Sequence, residues 1–135
     1  GAVAAKGNGG VLDAVASGQK AYGMIVDFMA FNGKDKGSPV DFVYPLEGVS
    51  MVTEPVAILK TAKNVEAAKA FVNWLLSDAG QQYMVVQGYI PGKEGVAGPA
   101  GRPGAADLKL MPVSTKDVSG ESNEIKQKFS DLFGG

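Results

Sequence analysis

Residues 64–88, NVEAAKAFVNWLLSDAGQQYMVVQG, leave little choice of local structure. Asn64 is a good helix N-cap. Val65, Ala68, Phe71, Val72, Leu75 and Leu76 follow at offsets of 0, 3, 6, 7, 10 and 11. That spacing is the 3.6-residue period of a helix with one apolar face. Ser77 and Asp78 restart a second helix, which carries Tyr83, Met84 and Val86 and stops at Gly88.

The segments before this pair alternate between two periods. NGGVLDAVASGQK predicts a short helix with Asn8 as N-cap, Val11, Leu12, Ala14 and Val15 as its apolar face, and Gly18 as its stop. AYGMIVD then predicts a strand, and FMAFNGKDKG a second short helix running into a Gly/Lys turn. In SPVDFVYP, Val40, Phe42 and Tyr44 alternate with Asp41 and Val43, the period of a strand. EGVSMVTEPVAILK predicts a further strand, with Pro55 marking an edge, a bulge or a crossing between layers. Helices and strands joined by short loops predict an α/β fold with part of its sheet parallel. PGKEGVAGPAGRPGAA has no period and reads as a surface connection. Ile125, Phe129, Leu132 and Phe133 predict a last helix, with Glu121 and Glu124 at its start and Gly134 at its end.

Composition removes several chemistries. The 135 residues carry a formal net charge of -1 and include no Cys and no His. Thiolate and imidazole catalysis are therefore absent, as are zinc sites of the usual kinds. There is no basic run to bind nucleic acid, and the even charge balance gives no footprint for an anionic membrane surface. No apolar run reaches the roughly 18–20 residues of a spanning helix. GAVAAKGNGG lacks the basic and apolar regions of a signal peptide. No cofactor is expected.

The candidate functional residues are few. KGNGG opens a helix, so the amides around Asn8 and Gly9 present either an anion site or an ordinary turn with a cap. It is neither a Walker loop nor a dinucleotide fingerprint. Asp27 ends the apolar run Met24-Ile25-Val26, where open α/β sheets place ligands; the competing role is a helix cap. Glu54 is a carboxylate inside an apolar run, serving either as a contact or as the water-facing residue of an edge strand. Tyr44, Tyr83, Tyr89 and Trp74 read as packing aromatics.

In order and content, GGVLDAVASGQKAYGMIVDFMA and GSPVDFVYPLEGVSMVTEPVAILKTAKNVEAAKAFVNWLLSDAGQQYMVVQGYIP resemble the C-terminal half of bacterial solute-binding proteins of ABC importers. The nearest group is the ferric-iron-type, or type II periplasmic binding protein, family. The most specific part runs from Ala57 to Pro91. The resemblance implies two α/β lobes, each a mixed β-sheet flanked by helices, that close on a ligand and deliver it to a membrane permease. It places residues 1–50 and 89–135 in the second lobe and 51–88 in the first. It also implies that the N-terminal half of the parent protein precedes this chain, that the protein works on the periplasmic or extracellular face of a bacterial membrane, and that exposed strand edges are covered in a swapped homo-oligomer.

The resemblance bears on the ligand too. Iron-binding relatives carry adjacent tyrosines just after the strand that corresponds to Tyr22–Val26. The matching residues here are Phe28 and Met29, and neither supplies a hard oxygen ligand. Asn8 corresponds to a cleft position near the bound anion, and Asp27 to a polar position beside the tyrosines. An organic solute is the expectation: an organic phosphate, phosphonate, polyol or amine-bearing compound, with sugar phosphates, aminoalkyl phosphonates and polyamine-like solutes as instances. The helix start would hold an anionic group, while Asp27 and Glu54 would accept from hydroxyls or an ammonium. Phe28 lines the same place. The alternatives are ferric-iron binding by other residues and a phosphate-handling α/β enzyme. Against an enzyme stands the lack of any paired-carboxylate or nucleophile motif.

Overall fold

A computed structural model of the chain describes residues 2–112 and 115–133. Among them run six helices: α1 (Gly7–Ala16), α2 (Asp27–Asp35), α3 (Val65–Leu75), α4 (Asp78–Val86), α5 (Thr115–Gly120) and α6 (Ser122–Phe133), with a 3-10 turn at Ala105–Asp107. The chain divides into two compact units, one of Gly1–Ser50 with Leu110–Gly135 and one of Met51–Lys109.

In the first unit α1 packs on α2. Contact is close because two facing positions carry no side chain. A Cβ on Gly23 would collide with Val11, and one on Gly33 would lie 3.1 Å from Leu12. The methyl groups of α1 thus sit against backbone. Gly18, at φ +74, takes the left-handed conformation that ends α1. Lys6, not Asn8, is the N-cap of α1, and it makes no side-chain cap bond. Farther along, Glu124 and Lys128 pair on α6 at 2.7 Å, one turn apart. Gly134, expected to end α6, lies outside the described residues.

The second unit is built on the α3–α4 corner. Asn64 accepts from the Ala67 amide at 3.1 Å, as its capping position predicts. Ser77 works in both directions: its hydroxyl accepts from the Gly80 amide at 3.2 Å and donates to the Trp74 carbonyl at 2.6 Å. Gln81 is buried. Its amide donates to the Leu75 carbonyl at 2.9 Å and accepts from the Gly92 amide at 2.8 Å. One side chain thus ties the end of α3 to the loop beyond α4. Gly88, at φ +95, follows the end of α4, and Arg102 donates to its carbonyl.

The strands expected at 21–27, 38–45 and 51–60 do not form among the described residues, and neither does a mixed sheet. One isolated parallel bridge joins Val49 and Leu110, with the Met111 amide donating to the Val49 carbonyl at 2.9 Å. The local pattern is extended, but a strand is completed by a neighbouring ladder. Among the described residues no ladder joins any two of these segments. The apolar residues meant for a sheet core are consequently open: Tyr22 is 93% and Met24 95% exposed, and Phe71 on α3 and Leu76 at its C-cap are exposed too. Among the described residues the one buried apolar side chain is Ala30, and none is fully buried.

Two substitutions test the α3–α4 corner. A Cβ on Gly80 would penetrate the Trp74 carbonyl oxygen and the Leu75 backbone, so Gly80→Ala is expected to cost about 1–3 kcal/mol in urea unfolding. Gln81→Ala strands the Leu75 carbonyl and Gly92 amide and is expected to cost about 1–3 kcal/mol as well. Unchanged midpoints in both would mean that the corner is not held as described.

Candidate functional site

The first unit concentrates its polar contacts at the start of α2. Val26 is the N-cap of this helix and offers no side-chain acceptor. Its amide instead donates to Oδ1 of Asn8, in the first turn of α1, at 3.4 Å. So Asn8 does not cap its own helix; it links the start of α1 to the start of α2. Asp27 follows as the first residue of α2, and its Oδ1 accepts from the Phe28 amide at 2.7 Å. A carboxylate there is favoured by the helix dipole. Its other oxygen, Oδ2, accepts from the Tyr44 hydroxyl at 3.0 Å.

Tyr44 brings in segment 38–45, which lies along α2 in the opposite sense. Phe42 packs on Phe31 with ring centroids 5.6 Å apart and meets Tyr44 edge-on at 4.9 Å. At the far end Lys34 pairs with Asp41 at 2.8 Å. The segment is therefore laced to α2 at three levels: Asp27 with Tyr44, Phe31 with Phe42, and Lys34 with Asp41. The Lys34 ammonium, helped by the Phe42 amide, holds the Asp41 carboxyl below its usual range.

Of the residues expected at a site, Asn8, Asp27 and Phe28 come together through Val26. Gly9 sits exposed in the first turn of α1, with open space where a Cβ would be, so packing does not require glycine there. Glu54 is exposed and belongs to the second unit. Tyr44, read from sequence as a packing aromatic, is the addition. An apolar groove of about 180 Å³ in the first unit, lined by Val11, Leu12, Val15, Ile25, Ala30 and Phe42 among others, does not include Asn8 or Asp27 in its lining. Among the described residues no three carboxylates gather closely enough to hold a metal ion, and no helix is long and apolar enough to cross a membrane. Chemically, the start of α2 offers an acceptor-only group, half-buried and steadied by two donors, suited to a hydroxyl or ammonium.

Residues 1–82 match the family described as bacterial extracellular solute-binding protein. The chain belongs to this family. Members bind solutes outside the cytoplasm, and the description names a binding protein, not an enzyme. A periplasmic-binding-protein-like fold goes with membership. Over 73 residues the chain is 37% identical to the spermidine/putrescine-binding periplasmic protein of Escherichia coli, covering 53% of this chain and 21% of that protein. The Shigella flexneri protein of the same name matches to the same extent. An uncharacterized protein of Haemophilus influenzae is 44% identical over 55 residues, 41% of this chain and 16% of the relative. The matched stretches thus span about a fifth or less of the length of these relatives. No solved structure matches the chain significantly.

The lacing can be tested by titration. A carboxyl whose folded pKa is depressed adds stability above its unfolded pKa, and that stability is lost as pH falls through the folded value. Lys34→Ala is expected to raise the Asp41 titration midpoint, read by carboxyl-carbon NMR. The pair is solvent-exposed, so little change in global stability should accompany it. An unmoved midpoint would refute the Lys34–Asp41 contact in solution.

Proposed function

We propose that this chain is part of the solute-binding component of an ABC-type importer and that its solute carries an ammonium group. The observation that carries this reading is the Asp27 carboxylate: half-buried, held by Phe28 and Tyr44, and placed where the starts of α1 and α2 meet. A fixed anionic acceptor suits an alkylammonium, which is a pure donor. The match to the spermidine/putrescine-binding proteins supports the amine-bearing type among the four expected solute types. Glu54 is assigned to the solute as well, as a second carboxylate for a second ammonium, and Asn8, Gly9 and Phe28 as lining. Ferric iron held in the tyrosine manner is disfavoured because Phe28 and Met29 carry no phenolate.

The mechanism is capture followed by closure. A solute bridging two lobes stabilises the closed form by the contacts it makes only there, and no bond is made or broken. The lobe assignment belongs to this proposal, with residues 1–50 and 89–135 in one lobe and 51–88 in the other. So do delivery to a membrane permease in the periplasm or at the outer face and pairing with a second copy.

A thermal-shift screen of the purified protein tests the ligand class. Putrescine at 100 times its Kd is expected to stabilise by about 2.7 kcal/mol. Asp27→Ala should abolish most of that shift while leaving the unliganded midpoint within a few degrees. Stabilisation by ferric salts with none by any amine would overturn the reading.

A further inference from the structure

We propose that Asn8–Gly9 is a site of spontaneous chemical modification, at which the Asn8 amide becomes a carboxylate and ammonia is lost. The inference goes beyond solute binding and does not depend on which solute the protein takes. In an Asn–Gly pair the Gly amide nitrogen attacks Cγ of the Asn side chain. A C–N bond forms, the Cγ–Nδ2 bond breaks, and ammonia leaves with the proton of the Gly amide. Water then opens the resulting succinimide at either carbonyl, giving aspartate or isoaspartate. The net change is water consumed and ammonia released, with no oxidant. Glycine favours the attack because no Cβ restricts the backbone as the ring closes.

The sequence holds two such pairs, Asn8–Gly9 and Asn32–Gly33, and the fold treats them differently. Asn8 and Gly9 are both exposed. Gly9 is the third residue of α1, and the first amides of a helix have no carbonyl one turn back to bond. Its nitrogen is therefore outside the helix ladder. The N-cap, Lys6, adds no side-chain bond to hold this turn closed, and the space beside Gly9 is open. The Val26 amide donates to Oδ1 of Asn8 at 3.4 Å, so a donor already sits on the oxygen that gains charge as Cγ becomes tetrahedral. Asn32–Gly33 is held instead. Gly33 is the seventh residue of α2 and is buried, with its nitrogen inside the ladder. The Asn32 carbonyl accepts from the Lys36 amide at 3.2 Å and the Gly33 carbonyl from the Ser38 amide at 3.0 Å. Leu12 of α1 lies against Gly33. Attack there requires α2 to open.

Conversion changes the spot where α1 meets α2. Aspartate at position 8 adds a negative charge to the start of α1, where the helix dipole favours it. Its bond from the Val26 amide becomes charge-assisted. Isoaspartate instead routes the backbone through the former side chain and lengthens it by a methylene, so the first turn of α1 no longer closes as before. Either product leaves the chain one unit more negative than its formal -1.

The experiment is incubation of the folded protein at mildly alkaline pH, followed by trypsin and mass spectrometry. Cleavage after Lys6, Lys20 and Lys34 yields residues 7–20 and 21–34, each carrying a single Asn. The first peptide is expected to convert at least about tenfold faster than the second, because helix ends open at almost no cost and helix interiors do not. In the urea-unfolded chain the two should convert at similar rates, since the fold no longer separates them. Gly9→Ala, which meets open space, should leave most of Asn8 unconverted over an incubation that consumes it in the native chain. Equal rates for Asn8 and Asn32 in the folded protein would overturn the inference. So would the same contrast in the unfolded chain, or a Gly9→Ala variant that converts as fast as the native one.

Discussion

The first unit depends on how α2 is tied at both ends to the segment after it. At the start of the helix a carboxylate takes a phenol hydroxyl, and at its end an ammonium takes a carboxylate, with two aromatic rings between. These contacts do for segment 38–45 what a β-ladder would otherwise do. They hold an extended stretch against its neighbour with side chains in place of backbone bonds. The arrangement explains how Asp27 is accommodated half-buried: the Phe28 amide and the Tyr44 hydroxyl both donate to its carboxylate. It also explains why Phe42 stays partly covered when so many other apolar residues in the unit are open.

What could be read from sequence divides along a physical line. Caps and helix stops are local, and several were legible, though the N-cap expected of Asn8 at α1 was not found. Asn64 and Ser77 each take the amide that their positions predict, and Gly18 and Gly88 adopt the left-handed conformation that ends a helix. Strands are not local. Val40, Phe42 and Tyr44 have the alternation of a strand, yet whether they become one depends on a partner that the pattern cannot supply. Among the described residues the side chains of α2, not another strand, meet them. Exposure of Met24 and Tyr22 has the same cause.

The candidate site shows the same division. Asp27 stood out because it closes an apolar run, where open α/β sheets place ligands. Which partner it takes was not legible, because Tyr44 reaches it through the path of the chain between them, not through any spacing. Asn8 was expected to cap α1, and it does not: its side chain accepts the Val26 amide instead. Having no need to cap a helix that begins at Gly7, its amide oxygen is free to accept the Val26 amide from a different helix. Family membership, decided by residues 1–82, gives these contacts a setting that the residues alone do not.

The bond from Val26 to Asn8 has an electrostatic consequence. It joins the beginnings of two helices, and each beginning carries a partial positive charge of about half a proton from its aligned peptide dipoles. Their sum is comparable in size to the single negative charge of Asp27. The local potential at that spot is then a near balance, with backbone on one side and one carboxylate on the other. Few positions in a chain of net charge -1 hold such leverage. An amide in place of that carboxylate would leave the two helix starts uncompensated, turning a near-neutral spot on the same backbone into a positive one.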